Sequence, residues 1–235
     1  MFLKSLGAAI AALALAAACG PQARSSITLV DGDAFLGPAD AKVTVIEYGA
    51  PTCPGCKAWH DQTWARLKTA YIDTAKIKFI FREFPSHNPP VDAAIFSLAR
   101  CAGSGEYFDL IDEAFLRQRD IEIASRGGTA IAALESLGEK FRMSKQQVES
   151  CIKDPKNIQR IIDVQNEGGG RGVHSTPTFF LNDVEVADPR YDALSQAIDT
   201  ALGVAPAPAA APAEAPAPAP AEGAPAQPAP AKPGQ

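Results

Sequence analysis

The sequence predicts an α/β fold with an inserted helical subdomain, on three observations. Two apolar, β-branched runs, Val43 to Tyr48 and Ile77 to Phe81, flank a helical pattern. Successive helical patterns then fill a block from about residue 88 to residue 168. Strand and turn signals return at Thr178 to Val186. Strand–helix–strand order implies parallel neighbours joined by a right-handed crossover. The inserted block is too long for a connection and too apolar for a disordered segment.

In chain order, residues 1–19 are expected to be a signal segment. Lys4 gives a positive start, Leu6 to Leu15 an apolar stretch, and Ala16-Ala17-Ala18 a small-residue cleavage zone. The apolar stretch is too short to span a bilayer comfortably. Export implies an oxidising compartment, the bacterial periplasm. Cys19 follows the cleavage zone and is a lipidation candidate. The stretch resembles a bacterial lipoprotein signal, although Ala16 stands where Leu is usual and Leu15 is one residue further back. Lipidation would anchor the protein to the membrane, whereas cleavage near Ala18 would leave it soluble. The chain has 5 cysteines, so lipidating Cys19 would leave an even number to pair.

Residues 20–38 read as a tether and an edge strand, the strand at Ile27 to Val30, with turns at Asp31-Gly32-Asp33 and Gly37-Pro38. The main domain is expected over residues 39–202. Val43 to Tyr48 is a buried central strand. A helix from about Cys53 to Ile72 carries Trp59, Trp64, Leu67 and Tyr71 on its apolar side, and Ile77 to Phe81 is the second strand. Five helices are expected next. Pro89 to Cys101 opens with two prolines, which suit a first turn. Tyr107 to Gln118 follows, then Ala130 to Leu137, closed by Gly138. Ser144 to Ile152 starts with a capping box formed by Ser144 and Gln147. Ile158 to Glu167 is stopped by Gly168-Gly169-Gly170. Thr178 to Leu181 and Val184 to Val186 form a hairpin around Asn182-Asp183, and Tyr191 to Leu202 is a closing helix. Residues 203–235 are Ala/Pro repeats without aromatic residues, expected to be disordered or polyproline II.

Composition narrows the function. A chain with 46% hydrophobic and 21% charged residues is an ordinary globular protein, and its net charge of -5 weighs against a nucleic-acid partner. The stretch that carries chemistry is Cys53-Pro54-Gly55-Cys56. A strand delivers Cys53 and a helix begins under it. Free N–H groups and the positive dipole end at the helix N-terminus favour an anion, here the Cys53 thiolate, the nucleophile of disulfide exchange. Cys56, one turn on, is spaced to attack a mixed disulfide at Cys53. Zinc sites use the same spacing but need four ligands, and Cys56 with His60 finds no second Cys or His pair in the sequence. No metal and no cofactor are expected, the redox-active Cys53–Cys56 disulfide serving instead.

With the motif at a strand-to-helix junction, the sequence resembles the DsbA-like thiol:disulfide oxidoreductases of the bacterial envelope, members of the thioredoxin superfamily. The resemblance runs over roughly Ala39 to Leu202. It rests on Val43-Thr44-Val45-Ile46-Glu47-Tyr48 before the motif, on Phe81-Arg82-Glu83-Phe84-Pro85, on Leu98-Ala99-Arg100-Cys101-Ala102 and on Ser175-Thr176-Pro177-Thr178-Phe179-Phe180, in that order. It implies a thioredoxin fold with an inserted helical domain. It implies that Pro177 is the family's cis-proline, and that Thr176 pairs with an extended substrate segment beside the disulfide. On the residues alone, a trans proline opening an edge strand is the other reading. It implies that Glu47 is a buried acid beneath the disulfide that takes a proton from Cys56; an acid on an exposed strand edge is the alternative. Pro54 and Gly55 would face the substrate. Oxidases of this family commonly carry His where Gly55 stands, so the resemblance also implies a less stabilised Cys53 thiolate and a less oxidising disulfide.

Cys101 and Cys151 lie on expected helices of the inserted block. Paired, they would close a loop of about fifty residues, worth roughly 4 kcal/mol in the chain-entropy model. Two buried free thiols or a second redox relay are the alternatives. His174 reads as a solvated loop residue, and His60 and His87 receive no role. The function expected is an envelope oxidase that donates its disulfide to thiol-bearing exported proteins and is reoxidised by a membrane partner of the DsbB type. A reductase or isomerase, or a tethered client-binding module without catalysis, is the alternative.

Overall fold

The computed structural model describes residues 30 and 32–204. The signal segment, Cys19, the strand expected at Ile27 to Val30 (Val30 apart) and the Ala/Pro tail beyond Val204 lie outside the described residues.

Five strands form one sheet among the described residues: β1 (Ala34–Leu36), β2 (Thr44–Gly49), β3 (Lys78–Glu83), β4 (Thr178–Leu181) and β5 (Val184–Glu185). Their order is β1-β3-β2-β4-β5. β2 runs parallel to β3 and antiparallel to β4, while β1 and β5 close the two rims antiparallel. A central strand buries both faces, and β2 does so along its whole length. Val45 joins the core on the active-site side, whereas Ile46 and Tyr48 join a second cluster with Ile80, Val164, Val173 and Phe180 on the opposite side. A rim strand stands at Ala34–Leu36 and pairs Ala34 with Phe81.

The helix under the motif, α1, is continuous from Pro54 to Ile72, but two of its stretches, His60–Trp64 and Lys68–Ile72, are π-turns. The widening explains its side-chain pattern. Trp59 and Trp64 are five apart, a spacing an α-helix would place on different sides, yet both are buried against Phe79. The far end of α1 is tied to the last helix, where the Tyr71 hydroxyl donates to Asp199 Oδ1 at 2.9 Å.

Between β3 and β4 run α2 (Pro89–Ala102), α3 (Tyr107–Leu116), α4 (Gln118–Arg126), α5 (Ala130–Lys140), α6 (Lys145–Ile152) and α7 (Pro155–Gly170), and α8 (Tyr191–Leu202) follows β5. The Ser144–Gln147 capping box is formed. These helices have no core of their own. Leu134, Leu137, Val148 and Ile161 belong to the same cluster as Val45, Cys56 and Trp59.

Two expectations about glycine are corrected. Gly138 lies inside α5, and Gly168-Gly169-Gly170 do not stop the helix after Glu167 but form the last turn of α7, which ends at Gly170. The reason at Gly168 is close approach. A Cβ there would stand 2.9 Å from Phe84 and 3.0 Å from Tyr48, so the absent side chain lets α7 lie directly on the sheet. Gly138 faces Val148 in the same way, at 2.5 Å. Gly168→Ala is therefore expected to destabilise the fold by about 1–3 kcal/mol through overpacking, despite alanine's better helix propensity. A urea midpoint equal to or above that of the wild type would contradict this.

β3 continues past Phe81 through Arg82 and Glu83, both fully buried. These two charges escaped the strand expectation because their partners are remote in sequence. Arg82 donates to Asp33 at 2.9 Å, to Glu167 at 2.8 Å and to the Tyr48 hydroxyl at 2.6 Å. Glu83 meets Arg100 at 2.5 Å and the Tyr107 hydroxyl at 3.0 Å, and Arg160 bridges Asp33 at 2.7 Å and Glu83 at 3.4 Å. The network joins the segment before β1, the sheet, α2, α3 and α7.

Candidate active site

Cys53 is the N-cap of α1. Its sulfur accepts the Cys56 backbone N–H at 3.3 Å, and as a thiol it donates to the Thr176 carbonyl at 3.3 Å. Both motif cysteines are free and buried, Cys56 completely. Pro54 and Gly55 are exposed between them. The two thiols are pushed in opposite directions. Cys53 is lowered from 9.0 to about 5 by hydrogen bonds, first from the Cys56 thiol, with Thr176 and the Cys56 and Gly55 amides adding to it, which together outweigh its desolvation. Cys56 is pushed well above 9.0 by burial, by its bond to Cys53 and by the charges of Glu47 and Cys53.

Glu47 sits in the middle of β2, opposite Phe81 on one side and Phe179 on the other. It is 1% exposed, so the edge-acid alternative fails. Its Oε1 is buried without a hydrogen-bond partner, and burial, followed by the charges of Cys53 and Asp112, raises the carboxyl well above 4.5. The carboxyl thus holds its proton to higher pH than an exposed glutamate would, and it lies within electrostatic reach of Cys56.

The Thr176–Pro177 peptide bond is cis. A Cβ at Gly55 would approach Pro177 Cδ to 3.1 Å and lie 3.7 Å from Cys53 Sγ, so the glycine keeps this face of the motif open against the proline. Residue 55 contributes no side chain to the thiolate, yet Cys53 is still held at about 5. The stabilisation comes from the helix start and from Cys56.

Cys101 and Cys151 are joined in a disulfide, with Cα atoms 6.2 Å apart, linking α2 to α6 away from the motif. His174 is exposed. His60, left without a role from sequence, packs on Phe115 with ring centroids 4.6 Å apart and meets Asp112 at 3.2 Å. Sequence reasoning also missed Gln118. From the first turn of α4 its side-chain amide donates to the Pro51 carbonyl at 2.7 Å and the Cys53 carbonyl at 2.9 Å, so the inserted helices hold the motif loop directly. No periodic signal marks such a residue. Among the described residues, no group of three or more His, Cys, Asp or Glu side chains is arranged to hold a metal ion.

A strand-to-helix cysteine pair, one sulfur activated and the other buried beside an acid and a proline loop, defines a thioredoxin-type redox centre. The family model described as thioredoxin matches residues 30–200, and the chain belongs to that family. The fold is that of DsbA-type structures: alpha-DsbA1 from Wolbachia pipientis superposes with a TM-score of 0.69 at 22% identity, over 77% of this chain and 96% of that one. Among curated relatives, a Rickettsia bellii protein named "putative protein-disulfide oxidoreductase" is 33% identical over 173 residues, or 73% of this chain. That match spans 65% of the relative's own length, less than two thirds. A Bacillus anthracis protein named "probable disulfide bond formation protein D" is 30% identical over 71% of this chain and 77% of its own length.

Proposed function

We propose that the protein is a thiol:disulfide oxidase of the bacterial envelope that donates its Cys53–Cys56 disulfide to exported proteins bearing thiols. The observation that carries this reading is the asymmetry of the pair: Cys53 held near 5 above a Cys56 that stays a thiol. A stabilised Cys53 thiolate favours the reduced form and leaves readily, so the disulfide is the reactive, electron-accepting state. Of the relatives, the Bacillus anthracis protein is named for disulfide bond formation, which supports this direction.

The exchange runs in two displacements. A substrate thiolate attacks Cys53 Sγ, and the Cys53–Cys56 bond breaks. Cys56 leaves with the electron pair and takes a proton from Glu47. The substrate backbone lies against Thr176 and Pro177 during this step, with Pro54 and Gly55 on its other flank. A second substrate thiolate then attacks the substrate sulfur of the mixed disulfide, and Cys53 leaves as a thiolate. Two electrons have passed from the substrate dithiol to the pair, one proton has reached Cys56, and Glu47 is recharged from solvent. Reoxidation falls to a membrane partner of the DsbB type. Delivery would rest on residues 1–19, with a lipid at Cys19 as the anchor, and Cys101–Cys151 is a structural brace.

Two measurements test this. Thiolate absorbance of the reduced protein should titrate with a midpoint near 5. Equilibration with glutathione should give a potential well above about −200 mV, on the oxidising side of glutaredoxins. A value near that of thioredoxin, about −270 mV, would turn the reading towards a reductase.

The role of Glu47 has its own signature. Its raised pKa means that the native state keeps a proton the unfolded chain has released. Stability should therefore fall as pH rises from about 4.5 towards the folded value. Glu47→Leu should remove that slope, stabilise the fold at neutral pH by about 1–3 kcal/mol and slow turnover. Loss of stability at neutral pH together with undiminished turnover would contradict the assignment.

A further inference from the structure

Asp92 lies in the first turn of α2, where an acid ordinarily faces solvent and complements the helix dipole. Here it is fully buried, 0% exposed. Burial lifts its carboxyl to about 6, against three hydrogen bonds that oppose the rise. A carboxylate accepts only, and three donors converge on this one. Asp92 Oδ1 accepts the Thr52 N–H at 2.8 Å, and Oδ2 accepts the Thr52 hydroxyl at 2.9 Å and the Ser86 N–H at 3.1 Å.

The donors belong to two separate segments, and both lead to the reacting sulfur. Thr52 immediately precedes Cys53, and its hydroxyl also accepts the Asn88 N–H at 3.0 Å. Ser86 accepts the Thr176 hydroxyl through its own Oγ at 2.8 Å. Thr176 in turn accepts from Cys53 Sγ through its carbonyl. The path closes on itself: Cys53, Thr52, Asp92, Ser86, Thr176 and back to Cys53. β2 and β4 already fix the two arms of this circuit at one end. Asp92 fixes them at the other, where the nucleophile and the docking edge must keep a set separation.

We propose that Asp92 is a positioning residue for disulfide exchange, whose carboxylate braces the Cys53 loop against the Thr176–Pro177 edge so that a docked peptide meets the sulfur in register. The proposal rests on the oxidase reading and adds how the substrate is presented. It requires an acceptor with two oxygens. In Asp92→Asn one oxygen still serves Thr52, but the amide NH2 then faces the Ser86 N–H, and the Ser86–Thr176 arm loses its anchor. Ser86→Ala, at a half-buried position, leaves the Ser86 N–H bond to Asp92 intact and cuts only the link from Ser86 Oγ to Thr176.

The test uses full-length oxidised protein and two reductants, a dithiol peptide that needs the docking edge and glutathione, which does not. For Asp92→Asn the peptide KM should rise roughly ten-fold with kcat within about two-fold, while the glutathione rate stays within about two-fold of wild type. Ser86→Ala should reproduce the KM rise, and the double variant should be no worse than Asp92→Asn alone. If Asp92→Asn fails to fold, Ser86→Ala carries the test. Wild-type peptide KM in the folded variants, or glutathione and peptide slowed equally, overturns the brace while leaving the exchange reading standing. A wild-type protein that oxidises neither reductant overturns the exchange reading and the brace with it.

Discussion

Replacing Cys53 with alanine is expected to reduce disulfide exchange by at least about 10³-fold, since the attacked sulfur and the activated leaving thiolate are the same atom. Cys56 does not substitute for it. Cys56 is 0% exposed, and its thiol is pushed up by burial, so it offers neither access nor charge at neutral pH. Cys56→Ala should behave differently. Its Cys53 sulfur still reaches substrate disulfides, but nothing resolves the product, so mixed disulfides through Cys53 accumulate and are visible by mass under non-reducing conditions. The two variants also separate catalysis from binding. A Cys53→Ala protein that keeps more than about a tenth of wild-type exchange would show that the nucleophile has been misassigned.

Arg82→Ala should be the most damaging change to stability, costing about 3–5 kcal/mol, because it takes the shared buried cation from two carboxylates and leaves the Tyr48 hydroxyl without its donor. Arg82 is 0% exposed and holds Asp33 and Glu167, themselves 4% and 16% exposed. Arg160 still meets Asp33 and Arg171 still meets Glu167, which sets the lower end of the range. An exposed pair provides the contrast. Lys153 and Glu149 are 71% and 62% exposed, and Lys153→Ala should change stability by under about 0.5 kcal/mol. Urea denaturation of the oxidised forms compares the two directly. A loss below about 1 kcal/mol at Arg82 would mean that the network relaxes or is hydrated in solution.

The parts of the molecule legible in sequence were those whose physics is local. Val43 to Tyr48 reads as a central strand because both its faces are apolar, and the closing helix at Tyr191–Leu202 has a clean periodic face. The motif is legible because its chemistry and its secondary-structure junction coincide. The misreadings share a cause. Gly168 and Gly138 look like helix stops, since the contacts that require them, Tyr48 with Phe84 and Val148, come from other elements. α4 passed unnoticed because it buries only Ile121 and is otherwise polar. Arg82 and Glu83 look like the end of a strand, as their partners lie tens of residues away. At the site, Glu47 is conspicuous as an acid in an apolar run. Asp92 and Gln118 are not, because a first-turn acid and a first-turn glutamine are ordinary surface residues until the fold aims them inward.

The sheet rims bear on what such a site must refuse. A site proposed to take foreign extended chains beside one loop would risk stacking with its own copies wherever a strand is left open. Among the described residues β1 offers three residues and β5 only two, β5 folding back on β4 through a tight turn with Asn182 at positive φ. Stubs of this length give too few backbone pairs to template an intruding strand. Among the described residues the rims are thus too short for such pairing, which under the proposed function is left to the Thr176–Pro177 edge beside Cys53.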